Sequence, residues 1–238
     1  MSTDFGALDR VGLNLQAVFD LNALPTQARD RLARAFDGAH RYRQLILIGN
    51  AGPTLWRSVC ADGLAADHPI DDFSIRTVER WFAQHSPGHR MHRLYPGNAP
   101  VDLQALGQLA GWHHPSPFKI GIHAERGTWF AYRVALLADT DLPPTTAPAT
   151  PSPCTRCADT PCIAACPAGA MADGNFALDA CIGYRRQSGS RCANTCLARL
   201  ACPAGSVHRY DAAQIHHGYT HSLRMIEWFA TNGARRTG

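Results

Sequence analysis

Eight of the nine cysteines in this 238-residue chain lie within residues 154–202, which restricts what that segment can fold into. The first group has the spacing Cys-x2-Cys-x4-Cys-x3-Cys-Pro and contains Cys154, Cys157, Cys162 and Cys166. The second group contains Cys181, Cys192, Cys196 and Cys202, and it also ends in Cys-Pro. The N-terminus has no positively charged stretch before an apolar core, so we expect no secretion signal and a cytoplasmic location. Cysteines kept reduced there indicate metal or redox chemistry rather than a disulfide framework.

The spacing predicts two [4Fe-4S] clusters. Each cluster needs four thiolates converging on a cube, and in two-cluster ferredoxins the cysteine before the proline crosses to the other cluster. Applied here, this rule uses all eight cysteines. Cluster one takes Cys154, Cys157, Cys162 and Cys202, whereas cluster two takes Cys166, Cys181, Cys192 and Cys196.

Two structural zinc sites would also use eight thiolates, and disulfides are a third interpretation. The repeated Cys-Pro-Ala-Gly at residues 166–169 and 202–205 favours clusters over both. Arginines outnumber acidic residues across this segment, and the excess can offset the negative charge of thiolate-ligated clusters and raise their potentials. These arginines are Arg156, Arg185, Arg186, Arg191, Arg199 and Arg209.

We expect three parts. Residues 1–140 predict an α+β domain, residues 141–153 a proline-rich extended connector, and residues 154–238 a small two-[4Fe-4S] ferredoxin-like domain with a C-terminal helix. Helices are predicted over residues 27–36, from Pro53 through Leu64, from a cap at Asp71 or Asp72, and over residues 103–112 and 221–229. Strands are predicted over residues 43–48, 89–95, 118–123 and 128–137, the last two forming a hairpin around Gly127. Cys60 is expected to be a small buried residue.

The run over residues 118–133 is similar to a segment of the cobalamin-processing decyanases, the methylmalonic aciduria type C proteins. Residues 103–111 resemble the helix that precedes this segment in the same family. The layout of hairpin, proline-rich connector and cysteine motifs also resembles epoxyqueuosine reductase, with Cys181-Ile182-Gly183-Tyr184 matching a lone cysteine segment between the motifs. Reductive dehalogenases share this broad plan. Together the resemblances cover roughly residues 43–205.

The resemblance implies a nitroreductase-like α+β domain that holds a cobalamin, with clusters close enough to feed electrons to cobalt. By position it suggests five cofactor-binding residues: Tyr95, Lys119, Gly127, Trp129 and Arg133. Lys119 stands where the decyanases have a glycine, and their histidine near the cobalamin is replaced around Tyr95. The reductases carry a catalytic aspartate just before the helix at residues 103–112, and Asp102 is not aligned with it. We do not expect the helical-repeat tail that many of them use for tRNA.

These observations predict a redox protein that passes electrons from two clusters to a bound corrinoid, as a cobalamin-processing or cobalamin-dependent reductase. Two alternatives stay open: a ferredoxin-type carrier with a protein-docking domain, and a flavin-using reductase on the same scaffold. The expected partners are a corrinoid or small-molecule substrate and an electron-donor protein. We expect no membrane span. We also expect no nucleic-acid partner, because no run of five or six basic residues occurs.

Overall fold

The strand Gln44–Ala51 has an apolar centre at residues 45–48, and all eight of its residues are buried in the computed structural model. The structure describes residues 4–63 and 66–233. The chain divides into two units. The first ends at His113 and resumes over Phe130–Thr150, and the second contains His114–Trp129 and the chain from Pro151 onward. Residues 114–129 are thus grouped with the cysteine-rich segment, whereas the predicted division placed them in the N-terminal domain.

Besides a 3-10 helix at Asp37–Arg41, the first unit contains five α-helices and four strands among its described residues. In chain order these are α1 (Gly6–Arg10), β1 (Leu15–Asp20), α2 (Thr26–Ala35), β2 (Gln44–Ala51), α3 (Thr54–Asp62), α4 (Pro69–His85), β3 (Met91–Tyr95), α5 (Leu103–Leu109) and β4 (Phe130–Ala138). The strands form one antiparallel sheet in the order β1-β2-β4-β3.

Alternation along β2 explains why residues 45–48 at its centre are all apolar. Ile46 and Ile48 point to the face covered by α1, α3 and α4, whereas Leu45 and Leu47 point to the face covered by α2 and α5. A strand buried on both faces has a continuous apolar sequence, because successive side chains point to opposite sides. The first unit is therefore an α+β domain with helices on both faces of its sheet.

The second unit contains three short helices and one long helix among its described residues. The short ones are α6 (Pro161–Ala164), α7 (Leu178–Arg185) and α8 (Leu197–Ala201), and the long one is α9 (Ala212–Gly233). Short 3-10 helices lie at Pro153–Arg156 and Ser206–His208. Its small apolar core consists of Phe118, Met171, Ala198 and the side chain of Cys162. This core is too small to order the unit through apolar burial alone, so further cross-links are expected to stabilise it.

Two sequence predictions are wrong: the hairpin around Gly127 and the helix cap at Asp71 or Asp72. No strand forms over residues 118–123, because only the isolated bridges His114 to Ile122 and His123 to Gly127 occur there. The second predicted hairpin strand exists, but as Phe130–Ala138, and it pairs with β2 and β3 instead. Helix α4 begins at Pro69, so Asp71 and Asp72 lie in its first turn and do not cap it.

Other elements differ in extent. Helix α3 ends at Asp62, and the predicted helical residue Leu64 lies outside the described residues. Helix α9 is longer than the predicted 221–229, and β1 was not predicted. Cys60 is exposed, so its expected burial is wrong. Over residues 4–63 and 66–233, no helix has the length and apolar character needed to cross a membrane.

Candidate metal centres

The second unit contains a cavity of about 350 Å³ lined by four thiols. These belong to Cys154, Cys157, Cys162 and Cys202, the set assigned above to cluster one. The remaining wall is largely apolar and includes Phe118. Residues 48 positions apart in the chain therefore meet at one cavity.

A second cavity of about 240 Å³ in the same unit is lined by the other four thiols. They are Cys166, Cys181, Cys192 and Cys196, the set assigned to cluster two. Each cavity has one complete set of four thiols and none of the other set. Their role as ligands stays a prediction, but the grouping in space matches the crossed grouping inferred from the ferredoxin spacing.

Two short helices that pack together produce the crossing. Helix α6 carries Cys162 to the first cavity, and Cys166 follows its end and lines the second. Helix α8 has Cys196 at its N-cap and Cys202 at its C-cap, so it too has one thiol at each cavity. Helices of only four and five residues hold the two thiols of each pair a few ångströms apart along the chain direction. The prolines after Cys166 and Cys202 end the helical path, because proline cannot donate the next backbone hydrogen bond.

Burial raises the pKa of several of these thiols. It is the leading cause for Cys154, Cys162, Cys181, Cys196 and Cys202, and neighbouring thiols add to it in each case. Backbone N–H groups oppose the rise, from Ile163 at Cys162 and from Ala204 at Cys202. For these five thiols the raised pKa favours the protonated form at neutral pH, so metal ligation releases protons.

The polar lining differs between the cavities. The hydroxyls of Thr195 and Tyr219 line the second cavity and are buried, and among the described residues neither has a hydrogen-bond partner of normal geometry. The Tyr219 hydroxyl lies beside the Cys196 thiol and the Arg199 side chain. Arg185 lines this cavity as well and is only 8% exposed. In the first cavity Arg156 is exposed, and the Ser116 hydroxyl already donates to the carbonyl of Ile120 at 2.5 Å.

The predicted cofactor residues of the first unit occupy different places. Tyr95 ends β3, packs on the sheet face covered by α2 and α5, and has a pKa raised by burial. Arg133 lies in β4, where its Nε donates to the Asn50 side-chain oxygen at 2.6 Å. A buried amide is thus the partner of Arg133 within the first unit.

The predicted cofactor residues of the second unit are also accounted for by its own packing. Trp129 is fully buried against Tyr210, with the guanidinium of Arg199 4.6 Å from its ring centroid. Gly127 has a φ of 60° and lies so near the backbone of Ala204 that a β-carbon would overlap it. Both residues are explained by the unit in which they lie, and their roles at a cofactor stay predictions.

Lys119 is exposed and adopts a φ of 61°, a left-handed conformation that costs a non-glycine residue energy. The resemblance places a glycine of the decyanases at this position. The backbone geometry gives a reason for that glycine, independent of any contact with a cofactor.

Asp102 stands immediately before α5. In the resemblance described above, the reductases have a catalytic aspartate just before the corresponding helix. The Asp102 carboxylate accepts a hydrogen bond from the backbone N–H of Ala105 and forms an ion pair with Arg31. The N-cap is a sufficient structural reason for an aspartate here.

The fold and the two sets of thiols define the class: an α+β domain combined with a cysteine-rich unit that has two four-thiol cavities. No family model and no curated protein matches the sequence. A crystal structure of epoxyqueuosine reductase with a tRNA-Tyr stem loop matches with a TM-score of 0.57 and 13% identity, covering 89% of this chain and 67% of that one. The Bacillus subtilis enzyme matches with a TM-score of 0.57 and 12% identity, over 87% and 65% of the two chains.

The chain thus spans about two-thirds of the length of these reductases. A Caenorhabditis elegans B12-trafficking protein matches with a TM-score of 0.38 and 15% identity, over 58% of this chain and 68% of that one. That score is too low to carry an argument. The likeness to the reductases confirms the predicted α+β, nitroreductase-like class at the level of fold.

Proposed function

We propose that this chain is an iron–sulfur redox protein that holds one [4Fe-4S] cluster in each of its two thiol-lined cavities. The observation behind the proposal is the separation of eight cysteines into two sets of four, each around its own cavity. Cys154, Cys157, Cys162 and Cys202 would ligate cluster one, and Cys166, Cys181, Cys192 and Cys196 would ligate cluster two.

The arrangement favours clusters over zinc. A structural zinc ion needs four ligands within about 2.3 Å of one point, which brings the sulfurs close together. Within the described part of the chain, no three cysteine, histidine or acidic side chains are placed to hold a single metal ion. A cubane spreads its four thiolates over four irons, so wider spacing around a cavity suits it.

We further propose that the electrons pass to a corrinoid held with the help of the first unit. Two observations support this step: the similarity of residues 118–133 to the cobalamin-processing decyanases, and the reductase-like fold. When bound, a corrinoid supplies cobalt that accepts single electrons. The chain's own residues would bind the corrinoid, exclude water around it, and carry electrons through the two clusters.

An anaerobic titration tests the corrinoid step. The chain is photoreduced, excess reductant is removed, and hydroxocobalamin is added while the visible spectrum is recorded. We expect saturable binding, with cluster reoxidation matching corrinoid reduction electron for electron. A Cys60→Ser variant, altered at an exposed cysteine outside both sets, should behave like the wild type. Reduced clusters beside an unchanged corrinoid spectrum would contradict the proposal. Flavin released by heating would favour the flavin-using alternative instead.

A tRNA substrate is a second candidate, favoured by the likeness to a reductase determined with a tRNA stem loop. The sequence analysis does not expect a nucleic-acid partner, and that expectation stays a prediction. The gel mobility of a tRNA stem loop mixed with the cluster-loaded chain, at low and at physiological salt, distinguishes a tRNA partner from the expected absence of a nucleic-acid partner. Binding that survives physiological salt would favour tRNA, since purely electrostatic contacts weaken steeply as salt rises.

A further inference from the structure

Arg185 is a buried cation without a carboxylate partner. It is the last residue of α7, one helical turn after Cys181, and it is 8% exposed. Its guanidinium donates hydrogen bonds to the carbonyl oxygens of Cys192, Ala193 and Tyr219 at 3.2, 3.4 and 2.9 Å, and to the Ser222 hydroxyl at 3.1 Å. It also lies 5.3 Å from the centroid of the Tyr219 ring. In the described part of the chain no acidic side chain forms an ion pair with it. A buried charge with only neutral partners is costly, so a negative group is expected nearby.

The second cavity provides the place for that negative group. Arg185 lines it together with the four thiols of the cluster-two set. The buried hydroxyls of Thr195 and Tyr219 line it too. Among the described residues neither makes a hydrogen bond of normal geometry, and the Tyr219 hydroxyl lies beside the Cys196 thiol. A cation and two hydroxyl donors therefore surround a cavity whose thiolate-ligated cluster would carry negative charge and accept hydrogen bonds at sulfur.

The first cavity lacks this environment. Arg156 in its lining and Arg209, whose charge acts on the Cys202 thiol, are both exposed, so solvent screens their charges. Its lining includes none of the buried hydroxyls that lack a partner among the described residues. The two clusters would have the same number of thiolates but different electrostatic surroundings.

We propose that Arg185, Thr195 and Tyr219 are positioning residues that raise the reduction potential of cluster two above that of cluster one. This inference rests on the proposed presence of the clusters. Reduction adds one electron and no atoms, and takes a cluster with its four thiolates from a total charge of −2 to −3. A nearby cation and hydrogen-bond donors to sulfur stabilise the more negative state, so they raise the potential. An electron shared between the clusters would reside mainly on cluster two.

Redox titration with dithionite, followed by electron paramagnetic resonance, tests the inference on the full chain. Two couples are expected in the wild type. Arg185→Gln should lower the higher couple by about tenfold in its reduction equilibrium constant, which is about 59 mV for one electron. Tyr219→Phe should lower the same couple by less, and Arg185→Lys, which keeps the charge, should leave it near the wild-type value.

Arg186 provides the matched control, since it follows Arg185 directly and is exposed. Arg186→Gln makes the same change in net charge and should move neither couple. Equal shifts in Arg185→Gln and Arg186→Gln would overturn the inference. So would full iron content with both couples unmoved in Arg185→Gln and Tyr219→Phe. If Arg185→Gln loses cluster two, Tyr219→Phe decides the question. A wild-type chain without clusters would instead contradict the proposed function, and the inference with it.

Discussion

Gly127 and Gly205 show at the level of single residues why the chain needs glycine where its backbones meet. A β-carbon on Gly205 would lie 2.2 Å from the carbonyl carbon of Arg126, and one on Gly127 would lie 1.9 Å from the Ala204 oxygen. Both glycines have positive φ values of about 60°. The turn before β4 thus packs directly on the Cys-Pro-Ala-Gly segment that follows Cys202.

The two Cys-Pro-Ala-Gly segments allow a matched comparison. Gly169 has a φ of 58°, but a β-carbon added there would have no neighbouring atom within 4 Å, unlike one added at Gly205. Gly169→Ala should therefore cost only the left-handed backbone penalty, about 1 to 2 kcal/mol. Gly205→Ala adds overlap with backbone, about 1 to 3 kcal/mol more. The measurement is the denaturant midpoint for loss of cluster absorbance, and equal midpoints in the two variants would contradict the close packing.

Arg133 has a structural role that predicts a stability effect. Arg133→Ala leaves the side-chain oxygen of Asn50, which is fully buried, without this donor. We expect the free energy of unfolding of the first unit to fall by about 1 to 3 kcal/mol. Urea unfolding followed by tryptophan fluorescence measures this, with Arg93→Ala, altered at an exposed arginine of β3, as the control. An unchanged midpoint alongside weakened corrinoid binding would instead support the role in cofactor binding suggested by the resemblance.

Residue identities could be predicted where spacing alone specifies the chemistry. The two cysteine sets are of this kind, because the ferredoxin crossing rule depends only on the order of thiols and prolines. The partner of Arg133 was not predictable. Asn50 lies 83 positions away in the chain, and only the β2–β4 register brings the two together.

At the scale of elements, the ends of β3 and β4 are held together by a charged contact. Both carboxylate oxygens of Asp139 accept from Arg90, one from the backbone N–H at 2.6 Å and one from Nε at 2.9 Å. The Arg90 side-chain hydrogen bond is the largest cause of the lowered pKa of Asp139. His89 lies beside the same carboxylate.

A lowered carboxyl pKa gives this contact a defined pH dependence. The Asp139 contribution to stability is present above its unfolded pKa, ordinarily 3.8, and is lost as the pH falls through the lower folded value. Asp139→Asn should therefore remove part of the acid destabilisation of the sheet below that pH. Urea unfolding followed by circular dichroism at several acidic pH values tests this. A wild type and variant that lose stability in parallel would contradict the prediction.

Helices and strands could be predicted where a regular apolar pattern runs over many residues. They were missed where contacts with residues distant in the chain decide the structure. Helix α2 and strand β2 lie within a few residues of their predicted positions. The segment at residues 118–123 alternates like a strand, yet its Phe118 packs into the core of the second unit beside Cys162. Strand β1 was missed because its sequence, LQAVFD, is short and mixes polar with apolar residues.

At the scale of the whole molecule, the sequence predicted two kinds of structure in one chain, and the structure contains both. The first unit is organised by apolar burial on both faces of a sheet, and the second by short helices around two thiol-lined cavities. Residues 114–129 group with the second unit, whereas the prediction from chain order placed residues 1–140 in one domain. Local patterns carry no information on which unit a connecting segment packs into.

The central claim is that each cavity holds a [4Fe-4S] cluster, and the iron and acid-labile sulfide content of the anaerobically purified chain tests it most directly. We expect about eight irons and eight sulfides per chain, four of each for every cube. Cys202→Ala should lose cluster one and keep cluster two, whereas Cys196→Ala should lose cluster two and keep cluster one. Their electron paramagnetic resonance spectra would show which cluster is kept. About two zinc ions per chain without sulfide would contradict the account.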